Sequence, residues 1–98
     1  MTDFAITLYV TGSSIAGAQA VANIRAICDA ALPDGYRLKV IDVLGDPQAA
    51  DDAHIVATPT LIRTAPPPQR RVIGDLSDFV KVRSILDLAP PTTSESAP

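Results

Sequence analysis

Ala57-Thr58-Pro59-Thr60-Leu61-Ile62-Arg63-Thr64-Ala65-Pro66-Pro67-Pro68-Gln69-Arg70-Arg71-Val72-Ile73-Gly74-Asp75-Leu76 holds two short β-like runs, Thr60–Thr64 and Arg70–Ile73, around three consecutive prolines. The prolines have no amide hydrogen for a sheet ladder, so they read as a stiff, extended connector between strands. A Thr58-Pro59 step precedes the first run, and Gly74-Asp75 closes the second. Upstream, the chain reads as α/β. Downstream, it is open between helix and strand.

In Phe4–Val10 the apolar residues Phe4, Ile6, Leu8 and Val10 share one face, and Ala5, Thr7 and Tyr9 the other. The second face is only weakly polar, which predicts a central strand. Thr11-Gly12-Ser13-Ser14 breaks it, and either serine can cap a helix starting at Ile15. From Ile15 to Leu32 the stripe Val21, Ile24, Cys28 and Leu32, widened by Ala20, Ile27 and Ala31, predicts a helix with one broad buried face. Leu32-Pro33-Asp34-Gly35 stops it.

Tyr36–Leu44 begins alternating and ends as a mostly apolar run, which reads as a strand entering the middle of a sheet. Strand, helix and strand make a βαβ unit with a parallel pair. Asp46 then caps a short helix with Pro47 in its first turn, extending to about His54. Asp51 and Asp52 near its C-terminal end oppose the macrodipole, so it is expected to be marginal.

Leu76–Leu88 fits two periods. As a helix, Ser77 caps, Asp78 sits in the first turn, and Phe79, Val82, Ile85, Leu86 and Ala89 form a stripe. As a strand, Val80, Val82, Leu86 and Leu88 alternate with Lys81, Arg83 and Asp87, broken only at Ser84 and Ile85. Length and the capping serine favour the helix.

Ninety-eight residues make one domain, taken as residues 1–89, followed by a Pro/Ser/Thr-rich tail over 90–98 that has nothing to pack and reads as disordered. The net charge of −3 argues against a broad nucleic-acid surface. No apolar run is long enough to span a membrane and no signal-peptide pattern is present, so a cytoplasmic location is expected. The single Cys28 excludes an internal disulfide framework.

The element order βαβαββα, with a Thr-Pro before the third strand, is thioredoxin-like, and in such folds that proline is cis. The redox chemistry of that fold needs Cys-x-x-Cys at the start of the long helix. Those positions here are Ser14-Ile15-Ala16-Gly17, and Cys28 lies further along, on the apolar stripe, where it reads as a small buried hydrophobe. His54, the only histidine, has only Asp51 and Asp52 beside it, too few ligands for a metal site. No catalytic constellation and no cofactor motif emerge. Arg63, Arg70 and Arg71 flank the prolines on strands expected near a sheet edge. They serve either as edge protection or, with Arg37 and Lys39, as a basic patch for an acidic protein surface.

Several stretches together resemble the KaiB family of circadian clock proteins: Leu8-Tyr9-Val10-x-Gly12, Leu38-Lys39-Val40-Ile41-Asp42-Val43-Leu44, Asp46-Pro47-Gln48, Ala57-Thr58-Pro59-Thr60-Leu61, Pro66-Pro67-Pro68-x-Arg70-Arg71-x-Ile73-Gly74-Asp75-Leu76-Ser77 and Leu86-Asp87-Leu88. The resemblance is colinear from about residue 6 to residue 88. It extends to the sensor domain of the histidine kinase SasA, without the kinase domain.

The resemblance implies a non-enzymatic binding protein that docks on the ATPase ring of KaiC, a RecA-like autokinase, with KaiA or a SasA-like kinase as further partners. It also implies a metamorphic chain. The thioredoxin-like form binds KaiC, whereas a βαββααβ form assembles as a tetramer or dimer, with the final segment a strand. Candidate contacts are Arg25, Lys39, Arg63, Arg70 and Arg71, and candidate switch positions are Pro59, Gly74, Asp75, Ile85 and Asp87. The chain departs from the family at Ser13-Ser14-Ile15, where Asn-Thr-Pro is usual, and at Gln19 and Ala22, which replace basic residues. Ile85 replaces a glycine, joins the helical stripe and spoils the strand alternation, so the thioredoxin-like form is expected here. Rival functions are an adaptor for a histidine kinase or a non-clock KaiC homologue, and a thiol oxidoreductase that would depend on Cys28.

Overall fold

The computed structural model describes residues 3–88. The tail expected over 90–98 lies outside the described residues. The alternating N-terminal run becomes β1 (Ala5–Val10), and Ser14 caps α1 (Ile15–Ala31) by accepting from the Gly17 amide at 3.1 Å. β2 (Arg37–Asp42) follows. Asp46 then caps α2 (Pro47–Asp52), its carboxylate accepting from Ala49 N at 3.1 Å. β3 (Thr60–Ala65), β4 (Arg70–Ile73) and α3 (Phe79–Leu86) complete the order βαβαββα. The ambiguous last segment is therefore a helix.

The four strands lie in the order β2-β1-β3-β4, with β1 and β2 parallel and the other pairs antiparallel. Leu8, Leu61 and Val72 stand in one register line across β1, β3 and β4. With Ile6 and Val10 they form the sheet face that packs on Ala20, Ile24, Ile27 and Cys28 of α1 and Val82 and Leu86 of α3. The aliphatic stripe read from the sequence is this interface. Among the described residues no helix is long and apolar enough to cross a membrane.

Three sequence expectations are corrected. β2 is an edge strand, not a middle one, and Val40 in its apolar run is 43% exposed. A run of apolar residues reports what a strand could cover, not which neighbour it has. The cap of α3 is Asp78, which accepts from Lys81 N at 3.1 Å. Ser77 instead belongs to the preceding turn, its amide donating to Asp75 Oδ1 at 3.1 Å. The triple proline is not an extended spacer. Arg63 and Arg70 are the last register pair, so Pro66, Pro67, Pro68 and Gln69 reverse the chain between β3 and β4.

Candidate partner-binding surface

The sheet face opposite α1 and α3 carries Thr7, Tyr9, Lys39, Ile41, Ile62 and Arg71, which follow from the registers Thr7↔Lys39, Thr7↔Ile62 and Ile62↔Arg71. Arg71 reaches from this face to the end of α2, donating to Ala53 O at 2.8 Å and His54 O at 3.3 Å. That contact places the end of α2 over the β4 side of the face. The β2 side stays open, as a shallow cavity of about 350 Å³ lined by Thr7, Arg37, Lys39 and Thr64, among others.

The five candidate cations divide sharply. Lys39 is exposed on the open part of this face, and Arg70 is exposed at the start of β4. Arg25 is exposed on α1, in the layer covering the other face, so it does not converge with Lys39. Arg71 is exposed but its guanidinium is occupied by the two α2 carbonyls. Arg63 is a correction: at 2% exposure it is part of the interior, donating to Leu86 O at 2.5 Å and to Pro68 O at 2.8 Å. An even residue-to-residue alternation would put position 63 on the α1/α3 face with Leu61, and there a long side chain meets the C-terminal carbonyls of α3. Its surface role is therefore closed in this fold. Arg37 pairs with Asp3.

Of the candidate switch positions, Pro59, Gly74 and Asp75 are joined to one another, while Ile85 and Asp87 stand apart at the end of α3. Thr58-Pro59 is cis, as the fold resemblance implied, and Pro59 is buried. Its carbonyl accepts from Gly74 N at 2.9 Å, and Gly74 has φ 121°, a conformation open to glycine and strained for side-chain-bearing residues. Asp75 holds Ser77 N through its carboxylate, and its carbonyl accepts from Asn23 Nδ2 of α1 at 2.8 Å. Ile85 is half-buried against the core, and Asp87 closes α3 in the left-handed region at φ 64°.

Sequence reading missed a tie at the far ends of β1 and β2. Thr11 Oγ1 and Thr58 Oγ1 share a hydrogen bond of 2.5 Å, joining the β1–α1 loop to the proline step. Asp42 Oδ1 accepts from Gly12 N at 2.8 Å and Leu44 N at 2.9 Å, and these amides hold its carboxyl below the ordinary range. The Leu44 contact is an Asx turn, which an Asp two residues before a turn amide signals; the Gly12 partner has no local signal. Leu44 and Val56 are exposed apolar side chains in the flanking loops.

At the start of α1, where redox relatives of this fold need thiols, Ser14 is a cap and Gly17 packs against Val10. Cys28 is fully buried, and burial, reinforced by Asp29, pushes its thiol up to about 12. A thiol held neutral at physiological pH is not a nucleophile.

A KaiB domain model matches residues 7–88. The chain belongs to the KaiB family. It is 47% identical over 90 residues to the circadian clock protein KaiB3 of Synechocystis sp., a match spanning 92% of this chain and 88% of that one. It is 45% identical over 93 residues to the circadian clock oscillator protein KaiB of Prochlorococcus marinus, spanning 95% and 80%. The fold is similar to that of the N-terminal domain of Synechococcus elongatus SasA, with a TM-score of 0.72 at 22% identity over 99% of this chain and 90% of that one. It is also similar to mitochondrial thioredoxin 3 of Saccharomyces cerevisiae, with a TM-score of 0.69 at 19% identity over 90% and 81%. The thioredoxin-like architecture of this KaiB-family chain is thus shared with proteins of quite different sequence.

Proposed function

We propose that this chain is a non-enzymatic, cytoplasmic KaiB-like timing protein. It docks on the ATPase ring of a KaiC-type RecA-like autokinase, modulates the phosphorylation cycle there, and competes with or recruits output partners such as KaiA or a SasA-like kinase. The observation that carries this reading is the family match across residues 7–88. It agrees with a surface that offers exposed cations and apolar loops in place of a nucleophile. Lys39 is the leading contact, because it stands unencumbered on the open sheet face; Arg70 is the second, and Arg25 contributes from α1.

The decisive experiment is a pull-down of a KaiC-type ATPase from the same organism, with and without ATP, using the full chain. Binding that weakens as salt rises is expected if these charges steer association. Lys39→Glu should weaken it about tenfold, equivalent to about 1.4 kcal/mol. Unchanged affinity in the Lys39→Glu protein would remove Lys39 from the interface, and absence of binding under all nucleotide conditions would overturn the reading itself.

A further inference from the structure

α2 is the least anchored element of the sheet's second face. It has six residues, none of them buried, and no basic residue in its last turn. Asp51 and Asp52 put two negative charges at the end where the macrodipole is already negative. The cation that offsets them comes from a distant part of the chain: Arg71 of β4 donates to Ala53 O and His54 O, 18 and 17 residues away. Arg71 is exposed, so these bonds form at the surface. Arg63, on the other face of the same hairpin, makes the corresponding contact with Leu86 O at the end of α3, but it is buried.

We propose that Arg71 is a releasable latch on α2. A carboxylate-rich protein surface that takes the Arg71 guanidinium frees the 50–56 segment, including the exposed Val56, whereas Arg63 holds α3 throughout. Carboxylate fits because guanidinium binds its two oxygens in a two-pronged geometry with both partners charged, whereas the two α2 carbonyls are neutral acceptors. The latch does not depend on any KaiC-type partner; only the biological source of the carboxylates rests on the proposed function.

The test is amide hydrogen exchange on the full chain at low salt. Arg71→Ala should speed exchange of the 50–56 amides about fivefold or more, as expected for losing a charge-assisted contact. Exchange in α3 should stay unchanged, and Arg70→Ala, which removes an adjacent exposed charge without these bonds, should leave 50–56 unaffected. Hexaglutamate peptide added to the unmodified protein should reproduce the acceleration, and should add nothing in Arg71→Ala. Unchanged exchange in Arg71→Ala, equal acceleration by Arg70→Ala, or no response of the unmodified protein to hexaglutamate would each overturn the latch. Loss of KaiC-type binding alone would not.

Discussion

Two side chains illustrate how burial assigns roles that residue type alone does not. Arg63 is a buried cation whose two terminal nitrogens are used by Leu86 O and Pro68 O, while its Nε has no partner. Truncation would leave the Leu86 carbonyl at the end of α3 and the Pro68 carbonyl in the proline turn without their donors, so Arg63→Met should lower unfolding stability by about 2 kcal/mol, the scale of hydrogen bonds from a charged group. Urea denaturation measures this, and a loss below about 0.5 kcal/mol would show the contacts to be incidental. Cys28 is the second case. Its pKa is raised to about 12 from 9.0 by burial, then by Asp29, so the folded state keeps a proton that the unfolded chain has lost in between. The associated stability is complete below about pH 9 and is lost as pH rises towards 12. Alkylation of Cys28 in the folded protein should remain slow at pH 9 and become rapid in urea. Rapid labelling of the native protein would revive the oxidoreductase alternative.

At the scale of elements, the first turn of α1 and the turn after β2 decide how the loop ends of the sheet are held. A Cβ built on Gly17 would lie 3.1 Å from Val10 Cβ and 3.0 Å from Ser14 Oγ. Alanine favours helix over glycine by up to about 1 kcal/mol, but Val10 is a branched side chain on a central strand and cannot withdraw. Gly17→Ala should therefore destabilise by about 1 kcal/mol net, a thermal-melt measurement, and a rise in Tm would mean the strand yields. Asp42 carries the acid response of the same region. Gly12 and Leu44 amides depress its pKa, so its contribution is present above the unfolded carboxylate pKa and fades as pH falls through the lower folded value. In Asp42→Asn the fall of Tm below about pH 4 should be shallower than in the unmodified chain. An identical acid limb in both proteins would assign that response to other carboxylates.

Which of these elements the sequence announces depends on range. The cap at Asp46, the bounds of β4 and the buried stripe of α1 depend on residues within a few positions and are readable, whereas the sequence narrows the α1 cap only to Ser13 or Ser14 and offers Ser77 for α3, where Asp78 caps. The reversal by the three prolines, the edge position of β2 and the arginine contacts with two helix ends depend on register across the sheet, which no local pattern encodes. The candidate surface was readable in part for the same reason. Residue type marked Lys39 and Arg70 as cations; alternation with Leu61 turns Arg63 to the core face, but the Leu86 and Pro68 carbonyls that receive it there are brought by tertiary packing.

At the scale of the whole molecule, the last segment is where the two readings of one sequence meet. Phe79–Leu86 is helical here, with Val82 and Leu86 buried and Ile85 packed against the core. In the competing strand pattern Val80, Val82, Leu86 and Leu88 would share one face, and Ile85 would fall on the other. Ile85 thus stabilises one arrangement and opposes the other. Ile85→Gly removes a half-buried side chain, about 1 kcal/mol of burial, and adds roughly 0.5 kcal/mol of helix-propensity cost. The combined shift, about 1.5 kcal/mol, changes a population ratio more than tenfold. Backbone chemical shifts should report helix over residues 79–86 in the unmodified chain. In Ile85→Gly a second set of strand-like shifts over 80–88 should grow, accompanied by a larger species in sedimentation, because the strand arrangement is the one the family resemblance associates with assembly. A uniform helical spectrum and a single sedimenting species in Ile85→Gly would mean that position 85 does not set the balance. Strand-like shifts dominating the unmodified chain would reverse the preference argued from Ile85.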